Sequence, residues 1–353
     1  MYPRIVIDFA KLNHNADTLL DRCSNNHISS CFAVVKVFSG DLKIVEEIAN
    51  HPFSYLADSR ISNLKLFRHL NLPKALMRLP MLSEVDEVVK YADLSLNSEI
   101  KTIRKLDKAA KKIGKIHDII LMFDLGDLRE GLFFMDDYID IVDQILTLDN
   151  VHLKGIGTNL TCYGGVIPTN ENLNNLVKIA HTIEHEFDIT LDLISGGNSS
   201  SVALFGTGQI PPAINSLRLG EAIFFGRETA YGKLISGMHE DVFTVEAELI
   251  EIKQKPSYPI GDIGMNSFGE IPTIEDLGMM NRGIVAIGKQ DVQLDHLSPL
   301  DPRISVVGGS SDHLILNLGD SAYQIGDIIA FRPNYPGLLH LMTSKYVTKK
   351  YLK

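Results

Sequence analysis

Short runs of apolar residues recur through the first two thirds of the chain, and amphipathic stretches separate them. Each run holds consecutive apolar residues, as strands of a parallel sheet buried on both faces do. The stretches between them repeat apolar residues at a helical period, as at Leu173, Leu176 and Val177. A further helical pattern at 10–23 precedes the first run. The runs occupy 31–37, 53–58, 74–79, 92–97, 117–124, 153–160, 191–197 and 216–226.

Eight strand-then-helix units indicate an α/β fold of the (β/α)8 TIM-barrel type. An open, doubly wound sheet is the alternative that fits the same pattern. Beyond residue 238 the pattern changes, because 243–254 alternates apolar and polar residues and more short strands follow between Gly, Pro and Asp turns. We therefore predict a barrel over 1–238 and a C-terminal all-β domain over 239–353.

Composition narrows the classes of partner and compartment. The 353 residues carry 34 Lys and Arg against 44 Asp and Glu, and this net charge of −10 argues against a nucleic-acid partner. Three scattered cysteines argue against a disulfide framework and favour a reducing compartment. The N-terminal segment has charges every few residues and no apolar signal sequence. We expect a cytoplasmic protein that does not associate with membranes.

A lysine ends the first predicted strand. Lys36 lies between Val35 and Val37 in a run that reads as buried. A buried lysine loses its charge readily, and the neutral amine is a nucleophile toward aldehydes. The alternative is a lysine that extends its ammonium to solvent from the strand end.

Other polar groups also follow predicted strands. Arg129 lies in a loop after 117–124, where a guanidinium can bind an oxyanion with two hydrogen bonds. Around Ser199, small residues lead from a strand toward a helix, so that hydroxyl and backbone N–H groups can bind a phosphate. Arg218 lies inside the last strand and needs an acceptor, either a structural carboxylate or a cofactor ring nitrogen. Each feature is also common in ordinary turns, but strand ends of a barrel converge on one face.

Several motifs together resemble one family. The segments AVVKVFSG, DLGDLREG, NSSS and LRLGEAIFFG resemble those of fold-type III enzymes that use pyridoxal 5′-phosphate (PLP), the alanine racemase architecture of a barrel and a β domain. GTNLTCYGG, IGKQDV and GGSSDHL resemble the alanine/ornithine racemase branch in particular. The family resemblance covers the whole chain, and it rests on several separate motifs.

The resemblance implies a role for each cluster. It implies that Lys36 holds PLP as a Schiff base and then acts as a catalytic base. It implies that Arg129 supports the cofactor oxygen and the substrate carboxylate, that Ser199 and Gly220 bind the phosphate, and that Arg218 faces the pyridine nitrogen. The remaining predicted cofactor-binding residues are Asn159, Asn198 and Tyr351.

The chain departs from alanine racemases at several places. Asn159 stands where they have a histidine near the ring, and Met122 where they have a modified lysine. Lys289 replaces the tyrosine of a Gly-Tyr element. Their second catalytic base is a tyrosine from the partner subunit, whereas here Asp262 is nearest to that place, with Tyr258 just before it. These departures argue against alanine as the substrate.

We predict that the substrate is a basic amino acid, ornithine first and lysine second, with alanine a further possibility. Asp262, Asp291 and Asp312 fall where alanine racemases crowd the pocket with tyrosines, and a carboxylate there can pair with a distal ammonium. The alternative is that these aspartates lie in turns, and Lys289 would repel a diamine. The predicted substrate-binding residues are Arg129, Asp291, Ser311 and Asp312.

Three other functions remain open. A fold-type III decarboxylase would place a carboxylate, not an arginine, opposite the pyridine nitrogen. A D-amino-acid aldolase would bring a metal site, and no metal site is predicted, since 310–313 is only a weak candidate. A non-catalytic PLP-binding protein would usually be a barrel without a β domain. The resemblance further implies a homodimer whose sites are completed in trans.

Overall fold

The structure is a computed structural model that describes residues 1–266 and 268–353. These residues form two compact units. One is Lys11–Glu240, and the other joins Met1–Ala10 to Asp241–Lys353.

The strands are named in chain order. They are β1 (Arg4–Asp8), β2 (Ser30–Val34), β3 (Tyr55–Asp58), β4 (Lys74–Leu76), β5 (Leu94–Asn97), β6 (His117–Asp124), β7 (Leu132–Phe133), β8 (Val151–Gly157), β9 (Leu193–Ser195), β10 (Ser216–Leu219), β11 (Phe243–Pro256), β12 (Met279–Val285), β13 (Leu297–Pro299), β14 (Ser305–Gly309), β15 (Leu314–Asn317), β16 (Ile328–Pro333) and β17 (Thr348–Leu352).

The α-helices are named in the same way. They are α1 (Phe9–Asn25), α2 (Leu42–Ile48), α3 (Ile61–Leu66), α4 (Val85–Tyr91), α5 (Ile100–Lys112), α6 (Ile139–Leu146), α7 (Asn170–Phe187), α8 (Glu221–Phe225) and α9 (Tyr335–Thr343). Within the described part of the chain, no helix has the length and apolar character needed to cross a membrane.

The unit Lys11–Glu240 contains a closed barrel of eight parallel strands. Around the barrel the strands follow the order β2, β3, β4, β5, β6, β8, β9 and β10, and β10 pairs with β2 to close it. The two-residue strand β7 pairs with the end of β6. Each of the eight predicted apolar runs overlaps one of these strands, so the predicted (β/α)8 barrel is confirmed.

Apolar side chains from six of the strands form one buried cluster. Met122 is fully buried within it. This apolar packing stabilises the barrel and leaves its polar chemistry to residues outside the cluster. The cluster comprises Phe32, Ala57, Ala75, Leu94, Leu96, Ile120, Met122 and Leu193.

The second unit is built on an antiparallel sheet with β11 near its centre. β11 pairs with β12 and β16, and its first residues alternate between buried and partly exposed positions, as the sequence pattern indicates. β1 pairs with β11 on one side and lies parallel to β17 on the other. The first ten residues therefore belong with this sheet, whereas the predicted division placed them in 1–238. The reason is that β1 hydrogen-bonds to two strands of this sheet.

A histidine is fully buried at the start of β6. Its Nε2 lies 2.8 Å from the hydroxyl oxygen of Ser95. Burial disfavours the imidazolium and lowers the pKa of His117 to about 4. The same residue in an unfolded chain titrates near pH ~6.5, so the unfolded state binds a proton first as the pH falls. The folded state therefore loses stability between these two values.

We predict that His117→Gln flattens the pH dependence of stability. Between pH 7 and 4.5 the wild type should lose on the order of 2 kcal/mol more free energy of unfolding than the variant, because only its histidine must stay neutral. Urea denaturation across this pH range measures the difference. The control His185→Gln changes an exposed histidine of α7 and should keep the wild-type slope. Equal slopes for the wild type and His117→Gln would contradict the prediction.

Candidate active site

Lys36 follows the end of β2. The strand ends at Val34, and Lys36 begins a 3-10 turn that ends at Phe38. Val37 and Phe38 are fully buried, whereas Lys36 is exposed. The expectation of a buried lysine within the strand was therefore wrong, because the turn buries its apolar neighbours and leaves the amine accessible. Within 1–266 and 268–353, no group lies in hydrogen-bond or ion-pair range of its Nζ.

Arg218 lies in β10 and is 3% exposed. Its guanidinium donates to the Ser195 hydroxyl, to the Thr158 carbonyl oxygen at 2.5 Å and to Asn159 Oδ1 at 2.9 Å. Burial lowers the pKa of Arg218 to about 10, and the negative charge of Glu130 opposes that fall. The side chain is therefore a cation at neutral pH, held by neutral acceptors.

Glu130 connects Arg218 to the arginine of the neighbouring loop. Its Oε1 accepts from Asn159 Nδ2 at 2.5 Å and from Arg129 Nη2 at 2.6 Å, and its Oε2 accepts from Arg129 Nε. Arg129, Glu130, Asn159 and Arg218 thus form one chain of hydrogen bonds. Sequence reasoning named three of these residues and missed Glu130, although its place next to Arg129 at the predicted face was a usable signal.

A second polar group surrounds Ser199. Its hydroxyl oxygen faces the backbone N–H groups of Gly220 and Ala222, at 3.4 and 3.1 Å. Asn198 caps the 3-10 turn 199–204 by accepting from the N–H of Ser200. A Cβ on Gly220 would lie 3.0 Å from the Val34 carbonyl oxygen, so this close approach requires a small residue.

These groups fit a phosphate. Ser199 brings a hydroxyl and the adjoining backbone brings N–H donors, which are the groups that bind phosphate oxygens. The Ser200 hydroxyl is also buried, and no partner for it occurs in the part of the chain that the structure describes. The predicted residues Asn198, Ser199 and Gly220 therefore lie together near Arg218, whose N–H donates to the Gly197 carbonyl oxygen.

Asp127 ties the loop after β6 to the loop after β8. It is 1% exposed, and its carboxylate accepts from the N–H groups of Cys162, Tyr163 and Val166 at 2.8–3.0 Å. Although burial acts in the opposite direction, these hydrogen bonds hold the pKa of Asp127 below its usual range. The loops that carry Arg129 and Asn159 are thus held in register with each other.

Comparisons with known proteins identify the family of the chain. A family model described as alanine racemase, N-terminal domain, matches residues 7–228. The chain belongs to the alanine racemase family. The predicted family is thereby confirmed, on a match that spans more than half of the chain.

Two curated relatives match at least 99% of the chain. The ornithine racemase of Acetoanaerobium sticklandii is 48% identical over 100% of both chains. The lysine racemase of Thermotoga maritima is 36% identical over 99% of each. Among solved structures, the alanine racemase of Streptomyces lavendulae superposes with a TM-score of 0.78 at 15% identity, covering 100% of this chain and 98% of that one. That likeness shows a shared fold.

Six of the predicted site residues lie in the β unit. Asp291 is 9% exposed and accepts from the Ser344 hydroxyl at 2.6 Å. Ser311 donates to Asp312 at 2.6 Å in an exposed turn, and that turn accepts from the backbone of the segment 289–290. The group consists of Tyr258, Asp262, Asp291, Ser311, Asp312 and Tyr351.

The structure brings some of these six together and leaves others apart. The turn of Asp312 lies beside the segment of Asp291. Tyr258 and Asp262 lie on the exposed segment between β11 and β12, and the ring of Tyr351 packs against Phe9 at 5.5 Å between centroids. Their roles in the site of this alanine racemase family member stay predictions.

We predict that Glu130→Gln destabilises the barrel unit. The change removes the negative charge that supports two arginines, one of them buried, so the free energy of unfolding should fall by roughly 1–3 kcal/mol. Urea denaturation of the cofactor-free protein measures this loss. The control Glu186→Gln removes an exposed carboxylate of α7 and should leave the unfolding midpoint unchanged. A Glu130→Gln protein as stable as the wild type would show that the charge is not needed.

Proposed function

We propose that this protein is a PLP-dependent amino-acid racemase that interconverts L- and D-ornithine, accepts lysine less well and uses alanine poorly. The full-length 48% identity to an ornithine racemase carries this proposal. The geometry supports it, because an accessible lysine and a phosphate-type group both lie at the carboxyl ends of adjacent barrel strands, β2 and β10.

We assign PLP to the groups described above. Lys36 would attach the cofactor, Ser199 and Gly220 would hold its phosphate, and Arg218 would lie at its ring nitrogen. When bound, PLP withdraws electrons from the substrate α-carbon and acidifies its C–H bond. Asn159, Asn198 and Tyr351 are the remaining assigned contacts.

Lys36, Arg129 and Arg218 have separate roles in racemisation. Lys36 Nζ takes or returns a proton at the α-carbon from one face. Arg129 binds the substrate carboxylate, and its ion pair with Glu130 orients the guanidinium. Arg218 stays a cation at neutral pH, and because two neighbouring positive charges repel, it would disfavour a proton on the ring nitrogen of a bound cofactor.

Racemisation needs a second acid or base on the opposite face of the α-carbon. We assign this role to Asp262, with Tyr258 as the second choice, in a homodimer whose sites are completed by the partner subunit. Asp291, Ser311 and Asp312 are assigned to the substrate on the same basis. The support is the family resemblance of these segments and the exposure of Asp262 and Tyr258.

We also assign the protein to the cytoplasm. All three of its cysteines are free thiols, two of them buried, which suits a reducing compartment. Its acidic composition, 44 carboxylates against 34 basic residues, suits a small-molecule substrate rather than a nucleic acid.

We predict that the PLP-loaded protein racemises ornithine with a higher kcat/KM than alanine, by at least roughly tenfold. Incubation with L-ornithine, L-lysine or L-alanine, followed by chiral chromatography, measures the three rates. Equal formation of the D-enantiomer from each substrate, or a preference for alanine, would contradict the substrate assignment. Loss of carboxylate or of the side chain, without any D-enantiomer, would show a decarboxylase or an aldolase instead.

We predict that Lys36→Ala abolishes racemisation and covalent attachment of PLP. Borohydride reduction followed by mass spectrometry should add the cofactor mass to a peptide containing Lys36 in the wild type and to no peptide in the variant. The control Lys108→Ala removes an exposed lysine of α5 and should behave as the wild type. A variant that still retained the reducible cofactor would overturn the assignment of Lys36.

A further inference from the structure

Two carboxylates flank Lys36 on the barrel's carboxyl face. β2 pairs with β3, which ends at Asp58, and with β10, which leads through Gly220 to Glu221. Because the three strands are parallel and in register, Asp58 and Glu221 emerge on either side of the Lys36 turn. Burial raises the pKa of both carboxyl groups, and the nearby charge of Lys36 opposes that rise in both.

Asp58 is fully engaged by its own loop. It is completely buried, and one oxygen accepts from the N–H of Arg60 at 2.8 Å. Both oxygens accept from Asn63 Nδ2 at 3.2 Å. These hydrogen bonds hold the start of α3, so Asp58 has a structural role that accounts for it.

Glu221 has no such role. It is the first residue of α8 and is partly buried, yet across 1–266 and 268–353 no donor lies in hydrogen-bond range of its carboxylate. The backbone on both sides of it is engaged, since the N–H groups of Gly220 and Ala222 face the Ser199 hydroxyl. A carboxylate without a donor from the protein is free to take a cationic group of a ligand as its partner.

We propose that Glu221 binds the distal ammonium of the substrate and so sets the preference for a diamino acid over a neutral one. This inference rests on the proposed function and names a specificity residue for it. β10 pairs with β2, so Glu221 lies beside the turn of Lys36, the residue assigned to the cofactor. A carboxylate at that place can pair with a cationic group of the substrate side chain.

The test compares L-ornithine with L-norvaline, which has the same carbon chain and no distal ammonium. Glu221→Gln should lower kcat/KM for ornithine by roughly 10- to 100-fold, mainly through KM, and leave norvaline within about twofold. Asp58→Asn is the matched control, because it neutralises the other carboxylate beside Lys36. It should change both substrates by the same factor and leave their ratio as in the wild type.

A binding measurement separates recognition from catalysis. α-Methylornithine and α-methylnorvaline lack the α-hydrogen, so calorimetry measures their binding without turnover. Glu221→Gln should weaken binding of α-methylornithine only, and the affinity for PLP should stay as in the wild type.

Three outcomes would overturn the proposal or its basis. If the wild-type protein is inactive on ornithine, the proposed function itself is wrong. An active wild type whose ornithine-to-norvaline ratio survives Glu221→Gln shows that Glu221 does not bind the ammonium. A parallel fall for both substrates shows that Glu221 acts through Lys36 instead.

Discussion

The buried guanidinium of Arg218 is the constraint on which the polar end of the barrel depends. A cation inside a barrel must meet acceptors, and the chain supplies a hydroxyl, a carbonyl and an amide oxygen rather than a directly bonded carboxylate. Glu130 carries the negative charge that stabilises the guanidinium, and Asn159 forms hydrogen bonds with both residues. Arg129 shares the same carboxylate, so the two arginines are connected through Glu130 and Asn159.

This chain of hydrogen bonds depends on the positions of the loops after β6 and β8, which Asp127 connects. Asp127 accepts three backbone hydrogen bonds from the loop after β8, and it thereby holds that loop against the one that carries Arg129. Preorganised donors of this kind lower the free energy needed to order a site when the ligand binds. The apolar cluster occupies part of the barrel interior, so the polar groups meet outside that cluster.

The two carboxylates beside Lys36 have similar positions and different hydrogen-bond partners. Asp58 and Glu221 follow strands that both neighbour β2, and both lie near the same ammonium. Asp58 is saturated by hydrogen bonds within its own loop, whereas Glu221 lies between two backbone groups that turn toward Ser199. The contrast is invisible in the sequence, where both are single acidic residues after an apolar run.

The sequence by itself determined the architecture and the family. Eight buried runs with helical stretches between them predict a barrel because burial on both faces imposes a continuous apolar pattern that local reading detects. The motifs around Lys36, Arg129 and Arg218 marked the strand ends for the same local reason. Only the tertiary structure decided which groups meet. It ended β2 before Lys36, placed β1 in the sheet of the other unit, and joined Arg129 to Arg218 through Glu130. These outcomes depend on hydrogen bonds between residues that are distant in the chain. A hydrophobic pattern with a period of a few residues does not identify such partners.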